Sequence, residues 1–102
     1  CFSSPLDVAR EALDRGYVLS FAGNVTFKRN EELREAARLA PTGQVLIETD
    51  APYLTPRGFN LPRTNIPQNI TYVAKSLAAY MNIPEESLLM HARENTKRFF
   101  SI

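Results

Sequence analysis

The sequence predicts an α/β fold in which two short parallel strands are joined by a helix and followed by further helices. Three observations carry this. Apolar residues recur at helical spacing in four separate stretches. Two short apolar runs, residues 17–22 and Val45–Ile47, lie between them, and the second is bounded by turn residues and continuous enough for burial on both faces of a parallel sheet. Strands linked through a helix in this order form a right-handed crossover.

The elements follow in order. Ser4 is a candidate N-cap, Pro5 suits a first helical position, and Asp7 complements the positive end of a helix. Leu6, Ala9 and Leu13 then share a face, and Gly16 is a natural stop. Residues 17–22 form a β-prone run ending at Gly23. A second helix begins near Asn30, with Leu33, Ala36, Ala37 and Ala40 on one face, and Pro41 and Gly43 close it. After Val45–Ile47, residues 51–68 hold four of the seven prolines. Proline removes donors and restricts its predecessor, so this stretch reads as a long irregular loop, and such loops are often functional. Ile70, Val73, Ala74, Leu77, Ala78 and Met81 form an amphipathic stripe. Pro84 opens a last helix in which Leu88, Leu89, Ala92, Thr96 and Phe99 share a face.

Twelve Lys and Arg against eleven Asp and Glu give a net charge of +1, which argues against a protein that coats nucleic acid or binds membranes through a basic arm. It leaves room for an enzyme that meets phosphodiesters through metal ions. No apolar run reaches the ~18 residues of a membrane span, and nothing resembles a secretory leader. The single cysteine, Cys1, excludes an internal disulfide framework and fits a reducing compartment, so a cytoplasmic location is expected. The opening Cys1-Phe2-Ser3-Ser4 reads as a cut from a longer chain.

The chemistry concentrates where Val45-Leu46-Ile47 runs into Glu48-Thr49-Asp50-Ala51-Pro52-Tyr53. In parallel α/β folds the carboxyl ends of strands face the ligand crevice. Glu48 and Asp50 are two residues apart, so in extended chain they point to one face. A carboxylate there can bind a divalent cation, accept a proton from water, or both. The plain structural reading is a loop-anchoring Asp50 and an ion-paired Glu48, and two carboxylates alone do not make a metal site.

The order Cys1-Phe2-Ser3, residues 19–23, Thr26-Phe27-Lys28, residues 47–56, Asn65-Ile66-Pro67 and Asn95-Thr96 with Phe99 resembles the TatD-type metal-dependent hydrolases, the TatD deoxyribonucleases. The Glu48-to-Leu54 run is the most specific part. The resemblance implies a (β/α)8 TIM barrel with one or two divalent metals, Mg, Mn or Zn, at the carboxyl ends of its strands. It makes Asp50 both a metal ligand and the group that takes the proton from the attacking water, and places Glu48 beside the site. It also implies a histidine ligand directly before Cys1 and further ligands upstream. The chain thus resembles the C-terminal portion of such a barrel, about two parallel strands plus helices, incomplete because a barrel needs about 250 residues. The implied function is hydrolysis of phosphodiester bonds in DNA by metal-activated water. The alternatives are a catalytically silent association module, or an amidohydrolase-type enzyme acting on another ester or amide. The 102-residue chain by itself is expected to retain no metal and no activity, and to form a two-fold homodimer that covers its open strands.

Other residues are open to two readings. The 23–28 segment, with Asn24 and Thr26, either binds phosphate through glycine and polar groups or shapes the loop. Arg57 and Arg63 flank the long loop and either steer a phosphate backbone or are merely solvated. The family often has Arg-Asn-x-Pro where this chain has Thr64-Asn65-Ile66-Pro67, with Arg63 one place early. Asn65 is expected to anchor the loop, Tyr53 to pack beside the pocket, and Asn95 and Phe99 to hold the last helix. His91, the only histidine, and Cys1 are assigned no catalytic role.

Overall fold

The computed structural model describes residues 1–102. Its elements are α1 Leu6–Asp14, β1 Leu19–Phe21, α2 Glu31–Leu39, β2 Val45–Ile47, α3 Ile70–Met81 and α4 Glu85–Phe100. Short 3-10 turns lie at Gly23–Thr26, Thr42–Gln44 and Pro67–Asn69. The strands pair in parallel with Leu19 opposite Val45 and Phe21 opposite Ile47, and α2 makes the crossover between them. No closed barrel forms. No helix is long and apolar enough to cross a membrane.

Helices cover one face of the sheet. Leu19, Phe21 and Val45 point into a cluster with Ala9 of α1, Leu33, Ala36 and Ala37 of α2, Ala74 and Leu77 of α3, and Leu88 of α4. Alanines dominate the α2 and α3 contributions, so these helices approach the strands and each other closely. Ser20 and Leu46, on the opposite face by strand alternation, are half-buried.

Helix ends follow from local chemistry. Tyr17 N–H bonds Ala12 O and Gly16 N–H bonds Leu13 O, with Gly16 at φ 81, a left-handed stop that only glycine adopts at no steric cost. The same pair of bonds closes α3 through Ile83 and Asn82, where asparagine takes the left-handed position at φ 57.

Four expectations need correction. Ser4 does not cap α1: Pro5 occupies the cap position, and no side chain bonds the first turn from there. Residues 17, 18 and 22 fall outside β1. Val45 is fully buried, but Leu46, on the face without helices, and Ile47, at the strand end where it packs on the edge of the core, are half-exposed. The buried face of α4 runs through Leu88, Ala92 and Asn95, leaving Leu89 and Phe99 exposed. Asn95 does hold the helix, donating from Nδ2 to Thr42 O (2.7 Å) and Val45 O (2.8 Å). Phe99 instead packs edge-on against Phe100.

Candidate active site

The ladder runs one residue past β2: Glu48 N–H donates to Phe21 O at 2.9 Å. The Glu48 carboxylate is about one-third exposed, with its Oε2 3.4 Å from the amino nitrogen of Cys1. The extended chain then ends. Asp50 sits at φ 56, a left-handed conformation that aspartate tolerates, and Tyr53 N–H returns to Asp50 O at 2.9 Å. The strand alternation that would place Glu48 and Asp50 on one face therefore does not reach Asp50. Its side chain is exposed and forms no ion pair within the chain.

The turn that carries Asp50 is stapled from below. Asn65, only 2% exposed, donates from Nδ2 to Thr49 O (2.9 Å) and Tyr53 O (2.8 Å), one carbonyl on each side of the turn. Its Oδ1 accepts from Ile66 N–H (3.1 Å) and from Asn69 Nδ2 (2.8 Å), and its own N–H bonds Pro52 O (3.0 Å). Every polar atom of this buried side chain is used, as burial requires.

The 23–28 segment meets the long loop at a tight seam. A Cβ on Gly23 would stand 1.8 Å from Leu54 O, so only glycine lets the two backbones approach. Thr26 Oγ1 donates to Gly23 O (2.6 Å) and accepts from Arg57 N–H (2.7 Å). Asn24 is buried, with Nδ2 3.8 Å from Cys1 Sγ, and its Oδ1 has no partner. Thr26 is thus occupied in holding the loop, and Asn24 is enclosed behind it. Neither is presented to a phosphate.

Beyond the seam the loop curls around a groove of about 850 Å³ lined by Phe27, Tyr53, Arg57, Phe59, Leu61 and Arg63, among others. Tyr53 does not pack away; the residue is 69% exposed and lines the groove. The structure therefore separates the sequence candidates into three groups. Tyr53, Arg57 and Arg63 share the groove, Asn24, Thr26 and Asn65 lie in or against the loop's supports, and Glu48 and Asp50 stand at the strand end outside the groove lining.

Arg34 is a residue that sequence reasoning missed. From α2 it donates to Val25 O (3.0 Å), Phe27 O (2.6 Å) and Lys28 O (3.1 Å), and pairs with Glu31 at 2.8 Å. One guanidinium thus satisfies three carbonyls of a turn that has no regular ladder. The only sequence signal was the Glu31/Arg34 spacing of three, which elsewhere denotes an ordinary surface pair. Glu31 is held below its ordinary carboxyl range, first by the hydrogen bond from Arg38 and then by that from Arg34. Asn69, whose only sequence signal was its place four residues after Asn65, was likewise not anticipated.

An exposed carboxylate without an ion-pair partner at a strand end is a donor open to a divalent cation, and Asp50 fits that role. Nowhere in the chain do three or more His, Cys, Asp or Glu side chains converge, whereas catalytic sites commonly use three protein ligands. By itself the chain falls short of such a set.

The family described as TatD related DNase matches residues 1–101. The uncharacterized metal-dependent hydrolase TatD of Mycobacterium tuberculosis is 40% identical over all of this chain, which covers 38% of that protein. The 3'-5' ssDNA/RNA exonuclease TatD of Citrobacter rodentium is 32% identical, with 40% of its length covered. The crystal structure of YjjV, a TatD homolog from Escherichia coli, superimposes with a TM-score of 0.86 at 27% identity, over 99% of this chain and 39% of that one. The chain thus spans about two-fifths of the length of the relatives it matches and corresponds to part of a TIM barrel, and it belongs to the TatD family of metal-dependent hydrolases.

Proposed function

We propose that the protein containing this segment is a cytoplasmic nuclease that hydrolyses phosphodiester bonds of DNA, with Asp50 at its reacting centre. The observation that carries this reading is Asp50 itself: an exposed carboxylate at a parallel strand end, in a turn stapled by Asn65. The exonuclease name of the Citrobacter relative supports the nucleic-acid substrate. The lone cysteine supports a reducing compartment.

In this reading Asp50 would hold a divalent cation, Mg, Mn or Zn, together with ligands outside this chain. When bound, such a cation would supply Lewis acidity to a water and to phosphoryl oxygens. The Asp50 carboxylate accepts the proton from the attacking water. Glu48 adds negative charge beside it, and the Asn65 staple keeps the turn from drifting, which matters because a misplacement of about 1 Å can cost ~100-fold in rate.

The test is Asp50→Asn in the full-length enzyme. It keeps side-chain volume and removes the charge and the base. Activity on single-stranded DNA should fall to background while the circular dichroism spectrum is retained. A variant keeping more than about a tenth of wild-type rate, a barrier change under ~1.4 kcal/mol, would remove Asp50 from the proton-transfer role.

A further inference from the structure

We propose that the groove enclosed by the 52–64 loop is a binding site for an unpaired nucleic-acid segment, with backbone phosphates on Arg57 and Arg63 and a base stacked on Tyr53. The proposal rests on the nuclease reading for its ligand class, but on none of the residues assigned to bond cleavage.

Charge is the first argument. The groove lining holds two arginines and no aspartate or glutamate. Neither guanidinium is engaged in an ion pair, unlike those of Arg15, Arg34 and Arg38. In a chain of net charge +1, this is a local concentration of free positive charge suited to an anion.

Preorganisation is the second. The Arg57 N–H is fixed by Thr26 Oγ1 at 2.7 Å, and its guanidinium lies 4.6 Å from the centroid of the Phe27 ring. The far wall is braced too: the Phe59 ring packs tilted against Tyr72 of α3, centroids 4.7 Å apart, and the Thr55 hydroxyl donates to Arg63 O at 2.7 Å. Side chains and backbone already ordered lose less freedom on binding.

The third argument is the aromatic ring. Tyr53 is 69% exposed in the groove, although a tyrosine ring next to a proline-rich loop has apolar surface to cover it. Interleaved arginines and aromatic faces are how proteins grip single strands, since every base has a π-face whereas a duplex hides it. The groove also starts beside the strand end: Pro52 lines it two residues from Asp50. A strand lying there can run on towards Asp50.

Binding is measured with the full-length protein and a fluorescein-labelled single-stranded oligonucleotide by anisotropy, in chelator so that nothing is cleaved. The slope of log affinity against log salt should fall by about 0.7 in Arg57→Ala and again in Arg63→Ala. Tyr53→Ala should weaken binding at least ~5-fold while leaving that slope unchanged. The same sequence as a duplex should bind more weakly. Neither guanidinium makes a hydrogen bond or ion pair within the chain, so both variants should keep the wild-type circular dichroism spectrum, and a lost slope then reads as a lost contact. Absence of binding by the wild-type protein, a wild-type salt slope in both arginine variants, or duplex bound as tightly as single strand would each overturn the proposal. Hydrolysis is not read, so this outcome is separate from that of Asp50→Asn: the groove can fail in an active nuclease, and bind in an enzyme whose proton acceptor lies elsewhere.

Discussion

Asn65 shows how one buried amide holds a turn by its carbonyls on both sides. Truncation by Asn65→Ala would strand the Asn69 amide and two carbonyls, Thr49 O and Tyr53 O, and an unsatisfied buried polar group costs about 1–3 kcal/mol. The thermal midpoint should fall by roughly 4–8 °C for each kcal/mol lost. An unchanged midpoint by calorimetry would mean that water or a shifted loop replaces the staple. At this scale the sequence was legible where a motif is contiguous. Asp50 stands in the run Glu48-Thr49-Asp50-Ala51-Pro52, and Asn65 in a recognisable triplet before Pro67. It was illegible where a side chain serves backbone atoms of another segment. Arg34 bonds the carbonyls of residues 25, 27 and 28, and Gly23 makes room for Leu54 O; neither partner has a side-chain pattern to read.

Among the elements, α2 carries the charge network that steadies the 23–28 turn. Glu31 accepts from both Arg34 and Arg38, and both bonds hold its carboxyl below the ordinary value of 4.5. A carboxyl whose folded value is lowered contributes stability that is complete above its unfolded value and is lost as pH falls through the folded one. Urea midpoints of wild type and Glu31→Gln should therefore differ at neutral pH and converge as pH drops below about 4.5. A gap that persists at the acidic end would assign the effect to packing rather than charge. The carboxylate is solvent-exposed, so the gap should be small and should shrink with added salt. Helix stripes were the most legible elements, because Leu33, Ala36, Ala37, Val73 and Leu77 recur at the period that burial demands. The face of α4 was misread by about one position. A polar residue, Asn95, takes an inward place to cap β2, which turns Phe99 outward. Apolar periodicity cannot register a buried asparagine.

The whole molecule leaves the strand architecture half-covered, and this sets an expectation for its association. The two strands pair only with each other, apart from Phe2 N–H reaching Ser20 O at 2.7 Å on the outer side of β1. Beyond β2 no strand follows; the Asn95 amide meets Val45 O, but no third ladder exists. Leu46 and Ile47 are half-exposed, and Leu39, Phe99, Phe100 and Ile102 stand out at the surface. Unpaired edges recruit neighbours, a two-stranded sheet is marginal alone, and exposed apolar surface seeks cover. In the Escherichia coli structure the matched portion is 39% of the chain, so the other strands of that barrel come from the remainder. In the 102-residue chain the simplest cover is a second copy, related by a two-fold axis and packed through β2 and its exposed neighbours. Sedimentation equilibrium at micromolar concentration should return twice the 11.5 kDa chain mass. Amides of Leu46 and Ile47 should gain exchange protection as concentration rises through the dissociation constant. Leu46→Lys, which puts a charge on the open face, should shift the equilibrium towards monomer. A species that stays at 11.5 kDa across the range, with both strands already protected, would show that the helical layer and the 51–68 loop suffice to close the sheet.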